Sequence, residues 1–100
     1  MVIAHIHFML SHFSRNIAFT KLVKSEDRLR EYNFRKLPGM QTDLFHVDVS
    51  DDRGNRIQFR MEKVDGQWKI VDQVLPAWIK TAEPKLHEKI EEGYHDYQEM

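Results

Sequence analysis

The chain has 100 residues, enough for one domain with a single core and too few for two. Its 41% hydrophobic and 31% charged content exclude a disordered chain, and a net charge of −1 excludes a global electrostatic pull toward nucleic acid or an acidic membrane. The absence of cysteine excludes disulfides, thiol catalysis and cysteine-ligated zinc, and it suits a reducing cytosol.

Residues 2–10 form an apolar run interrupted by His5 and His7. The run has no basic flank and no small-residue cleavage signal, so no signal peptide is expected. No stretch approaches the roughly 18 apolar residues of a membrane span. Read as a strand, the segment puts Ala4, Ile6, Phe8 and Leu10 on one face. Read as a helix, it aligns Val2, Ile6, Met9 and Phe13. The strand is preferred, because the run lacks an N-cap and residues 17–23 follow as a suitable antiparallel partner. Residues 24–28 read as a polar turn. Residues 30–35 read as a short strand with Tyr32 and Phe34 on one face. Leu37-Pro38-Gly39 predicts a bend, since Pro-Gly favours a type II turn, and residues 40–43 lead out of it.

Residues 44–70 predict two consecutive hairpins. Phe45, Val47 and Val49 alternate with His46, Asp48 and Ser50, and Ile57, Phe59 and Met61 alternate with Arg56, Gln58, Arg60 and Glu62. Asp65-Gly66 is a type I′ turn signal, because both central residues need positive φ. Centring the turn there pairs Met61 with Ile70 on the apolar face and Glu62 with Lys69 on the polar face. A one-residue slip would break both. Residues 51–55 carry Gly54 where a three-residue loop wants a left-handed residue, which pairs Val49 with Ile57, Asp48 with Gln58 and His46 with Arg60.

After Ile70 the period lengthens from 2 to about 3.6. Leu75-Pro76 marks a helix start, with proline at the first helical position. Trp78, Ile79, Ala82, Leu86, Ile90, Tyr94 and Tyr97 recur at helical spacing, and Pro84 forbids one continuous helix. A short turn over 76–80 and a second helix from about Pro84 to Tyr97 are expected to cover the apolar sheet face. The predicted fold is therefore α+β, a single domain over residues 1–100. It is an antiparallel β-meander of about five to six strands packed on one face by a C-terminal helix. The stretch from Asp65 to Ile70 resembles the closing hairpin of many cystatin-like and NTF2-like domains. It covers six residues, and those folds usually place helix before sheet. Here the clear helix comes last, so the resemblance stays with the hairpin.

Several residue groups carry chemistry. His5 and His7 share a strand face and, with His12 or His46, would offer metal nitrogens. No third ligand is fixed by the sequence, and the plainer reading is a solvated strand face, so no metal or cofactor is expected. Over residues 14–36 seven cations (Arg15, Lys21, Lys24, Arg28, Arg30, Arg35, Lys36) stand against Glu26, Asp27 and Glu31. With Arg53, Arg56 and Arg60 they make one sheet face a candidate cationic surface, with Tyr32 and Phe34 as stacking rings for single-stranded nucleic acid. From residue 83 onward six acids face two lysines, a polarity suited to docking one copy on another. Asp51 and Asp52 read as turn residues that bond their own backbone. Asp72 lies past the clean part of its strand. No catalytic triad, phosphate loop or dinucleotide fingerprint is present, so no catalytic residue is expected.

The candidate binding residues are Trp68, Trp78, His46 and Arg60. The expected function is a non-catalytic, cytoplasmic binding or protein-interaction domain without a membrane anchor, with a second copy or another protein as partner. The alternatives are single-stranded nucleic-acid binding on the basic sheet face, or a small molecule held between sheet and helix near Trp68, Trp78 and His46.

Overall fold

Asp65 and Gly66 both take positive φ, 51° and 80°, as a type I′ turn requires. That turn sets the register of the last hairpin in the computed structural model, which describes residues 17–36, 44–71 and 73–99. Five strands follow one another: β1 (Ile17–Ser25), β2 (Arg28–Lys36), β3 (Leu44–Ser50), β4 (Arg56–Val64) and β5 (Gln67–Ile70). They lie side by side in chain order, every neighbour antiparallel. Met61 pairs with Ile70, Glu62 with Lys69, Val49 with Ile57 and His46 with Arg60, as alternation and turn chemistry dictate.

The β3–β4 loop is held by its first residue. The Asp51 N–H donates to the Asn55 carbonyl at 2.9 Å, and the Gly54 N–H donates to the Asp51 carbonyl at 3.0 Å. Gly54 takes φ 84°, the left-handed position the loop demands. The β1–β2 turn is tighter than residues 24–28 suggested. Ser25 already pairs with Arg28, which leaves only Glu26 and Asp27 in the loop, and Glu26 adopts φ 59°.

Two helices follow, α1 (Ala77–Thr81) and α2 (Glu83–Glu99). Pro76 is not the first helical residue. Its ψ of 148° is extended, so it caps α1 from outside. Between the helices Ala82 stays helical in backbone (φ −80°, ψ −4°). Pro84 then prevents an unbroken ladder, because it has no N–H to reach back to Lys80. Inside the first turn of α2 that missing donor does no harm, since such N–H groups have no helical partner anyway.

Ile79, Ala82, Leu86 and Ile90 are buried against Val23, Tyr32, Phe34, Phe45, Val47, Phe59, Met61 and Trp68. Each large aliphatic side chain buried in this way contributes roughly 1.5–3 kcal/mol. Helix α2 spans the sheet and contacts β1 and β5, the two outer strands among the described residues. The Tyr97 hydroxyl donates to the Ala18 carbonyl at 2.7 Å and accepts the Ala18 N–H at 3.1 Å, on one edge. On the other edge, Glu83 and His87 accept the Ile70 and Trp68 N–H groups. The sixth strand expected over residues 2–10, the Leu37-Pro38-Gly39 bend and residues 40–43 lie outside the described residues. Among the described residues no helix is long and apolar enough to cross a membrane.

Candidate anion-binding site on the outer sheet face

The side of the sheet under the helices is filled. Trp68 is 1% exposed, its ring set edge-on to Phe45 with centroids 5.2 Å apart. Its indole N–H donates to Glu91 Oε2 at 2.9 Å. Trp78 is half-buried, and the Arg30 guanidinium lies over its ring at 3.9 Å. His46 is on the other side of the sheet from both tryptophans, because β3 turns Phe45, Val47 and Val49 inward and His46 outward. The four candidate residues therefore do not form one site. The cleft expected between sheet and helix near Trp68, Trp78 and His46 is not built from these residues.

The outer face brings His46 and Arg60 together with a third residue. Arg35 on β2 is the cross-strand partner of His46 on β3, and His46 is the partner of Arg60 on β4. Strict alternation puts all three side chains on the face away from the helices, in one lateral row. They line an open concavity of about 320 Å³ together with Asp48, Gln58 and Gln73. Gln73 Nε2 donates to the Gln58 carbonyl at 3.0 Å and closes one side of it. Among the described residues, no carboxylate pairs with Arg35, His46 or Arg60.

The neighbouring row is occupied. Thr20 Oγ1 donates to Asn33 Oδ1 at 2.6 Å, Asn33 Nδ2 donates to Asp48 Oδ1 at 2.9 Å, and Arg56 also donates to that oxygen. Asp48 also lines the concavity, but its Oδ1 is engaged by Asn33 and Arg56.

The broad basic face is narrower than the residue count suggested. Lys21, Arg30 and Lys36 share strand parity with the core residues Val23, Tyr32 and Phe34, so they point to the helix side. Lys21 Nζ donates to Glu92 Oε1 at 2.7 Å and lies 3.8 Å from Asp96. That hydrogen bond and charge hold the Glu92 carboxyl below its ordinary range. Lys36 Nζ donates to the Tyr94 hydroxyl at 3.0 Å. Tyr32 and Phe34 are buried, so they offer no surface for stacking bases. The acids of α2 meet the sheet of the same chain: Glu92 and Asp96 at Lys21, Glu91 at Lys63 (3.6 Å), and Glu83 at Lys69 (3.9 Å). The charge polarity of the sequence is largely satisfied within one molecule.

Of the two turn carboxylates, Asp51 bonds the turn backbone as expected, whereas Asp52 instead reaches the arginines of β2. Asp51 Oδ1 accepts the Asn55 N–H at 2.8 Å and the Arg53 N–H at 2.9 Å. These bonds, the one from Asn55 foremost, keep its carboxyl below the ordinary value. Asp52 accepts from Arg28 and Arg30. His5, His7, His12 and Asp72 lie outside the described residues. Among the described residues no three His, Cys, Asp or Glu side chains stand close enough to hold a metal ion.

The sequence pointed to His46 and Arg60 as a pair and to Arg35 on a common cationic face, but not to Arg35 as the direct neighbour of His46, nor to Gln73. The signal for Arg35 was present. It alternates with Phe34, so an inward Phe34 forces Arg35 outward. Only the unassigned β2–β3 register kept it from being placed beside His46. No protein-family model matches the chain, and neither a curated protein nor a solved structure is significantly similar to it.

Proposed function

We propose that the protein is a small binding domain that takes an anionic ligand on the outer face of its sheet. One observation carries the reading: Arg35, His46 and Arg60 lie in a single cross-strand row, facing solvent in a concavity, with no carboxylate partner among the described residues. Surface cations are ordinarily interspersed with acids, as Lys21, Lys63 and Lys69 are here. Cations without a paired carboxylate raise the local potential and concentrate anions. Guanidinium groups suit this role, because they remain charged and present several donors in a fixed plane. The absence of cysteine suits a cytoplasmic place for such a domain. The test is a titration of the isotopically labelled chain with simple anions, followed at backbone amides. Saturable shifts clustered at residues 35, 46 and 60 support the reading. Shifts scattered over all lysines and arginines, or none, overturn it.

A second reading, a homodimer, is favoured by a separate feature. Leu22 and Leu29 are 57% and 68% exposed and lie diagonally across the β1–β2 pair, at one side of the sheet formed by the described strands. A light-scattering mass equal to one chain at millimolar concentration removes it.

A further inference from the structure

Building on the anion-binding reading above, we infer that the ligand carries a terminal phosphate group, as a phosphomonoester of a small polar molecule, seated over His46 between Arg35 and Arg60. Adjacent strands lie about 4.8 Å apart, so the backbones of Arg35 and Arg60 flank that of His46 at roughly this spacing on either side. Both arginine side chains are longer than the imidazole between them, so their guanidinium groups can reach an anion seated over it from either side. An imidazole N–H can donate to the same anion from beneath. A tetrahedral oxyanion offers oxygens in all three directions. A carboxylate offers two oxygens in one plane, which a single guanidinium already satisfies.

The surroundings limit the size and kind of ligand. The cationic row is short. Along β3 the next outward residue is Asp48, and along β4 the next toward the turn is Glu62. A nucleic-acid strand needs cations in succession for its backbone, and rings for its bases. Here Asp48 and Glu62 flank the row, and every described aromatic ring on β2 to β5 faces the helices: Tyr32, Phe34, Phe45, Phe59 and Trp68. A concavity of about 320 Å³ is at the lower end of small-molecule sites, roughly 300–1,000 Å³. The amides of Gln58 and Gln73 line it beyond the row, donors and acceptors for a hydroxylated body rather than an apolar one.

The experiment titrates the labelled full chain with glucose 6-phosphate, inorganic phosphate, acetate and a thymidine oligonucleotide. Saturable shifts at residues 35, 46 and 60 are expected with glucose 6-phosphate at millimolar concentration, and acetate is expected to bind about tenfold more weakly. Arg35→Gln and Arg60→Gln should each weaken the phosphate ester about tenfold. Lys69→Gln, a cation outside the row, should leave binding unchanged. If acetate binds as tightly as the ester, the phosphate assignment fails while anion binding stands. If the oligonucleotide binds more tightly than the ester, with a steep dependence on salt, the small-ligand assignment fails in favour of a strand. If no anion gives saturable shifts at these residues, both readings fail.

Discussion

The Nδ1 atom of His87 accepts the backbone N–H of Trp68 at 3.0 Å. Trp68 sits on β5, an edge strand whose outward N–H groups would otherwise be unpaired. Four residues earlier on α2, Glu83 Oε2 accepts the Ile70 N–H at 2.8 Å, and four residues later Glu91 takes the Trp68 indole N–H. The repeat works because four helical residues rise about 6 Å and two strand residues advance about 6.7 Å. One helix stripe can therefore follow one strand edge. The arrangement blocks β5 against pairing with another chain.

Removing that acceptor should expose the edge. His87→Ala leaves a part-buried N–H without a partner, which costs about 1–3 kcal/mol. Denaturant unfolding measures the loss, and hydrogen exchange locates it. The Trp68 amide should exchange faster, while the core amides of β3 change only with global stability. An unchanged Trp68 amide in the variant would contradict the assigned bond.

Gly93 lies in the interior of α2, where glycine is ordinarily unfavourable by about 1 kcal/mol relative to alanine. A Cβ at this position would stand 2.4 Å from the Phe19 ring. Phe19 stacks on Phe34 at 5.2 Å and tilts against Phe45 and Tyr97, so the ring can retreat only by giving up these contacts. Gly93→Ala should therefore destabilise by about 1–3 kcal/mol despite its helix propensity. The double variant with Phe19→Leu should recover part of the loss, since it removes the clash. Additive losses in the double-mutant cycle would show that ring and glycine are not coupled.

The same residues indicate where a sequence is informative about structure. The registers of β3, β4 and β5 were legible because alternation and the Asp65-Gly66 turn specify one pairing. The helical stripe was legible from Ile79 to Tyr94. The faces of β1 and β2 were misjudged by counting charge instead of parity. Lys21, Arg30 and Lys36 alternate with outward residues and so share the side of Tyr32 and Phe34, whose burial makes that side the inner one. Their charged ends meet Glu92, Asp52 and Tyr94 at the margin of the core. The role of Gly93 had no local signal at all, because its cause is a ring more than 70 positions away in the chain.

Arg30 is a charge held close to the core. It is 8% exposed, its Nη1 donates to Asp52 at 2.9 Å, and its buried Nε has no hydrogen-bond partner. Asp52 itself is largely exposed, which screens the pair. Deleting the carboxylate strands the guanidinium, so Asp52→Ala should lower stability by about 2 kcal/mol. Replacing the cation with an apolar side chain of similar length removes the orphaned donor as well. Arg30→Met should then fall within about 1 kcal/mol of the parent, packed against Trp78. Thermal or denaturant melts of the two variants decide the order, and a greater loss for Arg30→Met would refute it.

Tyr32 makes the alkaline side of the stability curve specific. Its hydroxyl is buried and shares a 2.7 Å hydrogen bond with Ser25. Burial raises the phenol above its ordinary value of 10.0, against the smaller opposing effects of the Ser25 bond and the nearby Arg30 charge. In the unfolded chain the phenol releases its proton near the ordinary value, while in the fold it retains it. The stabilising contribution is thus complete below about pH 10 and is lost as pH rises through the folded value. Tyr32→Phe should cost about 1 kcal/mol at neutral pH, because the Ser25 hydroxyl loses its partner. Denaturation midpoints of parent and variant, compared from about pH 8 to about pH 11, should converge as pH rises. Midpoints that stay a constant distance apart would mean that Tyr32 does not titrate differently in the folded chain.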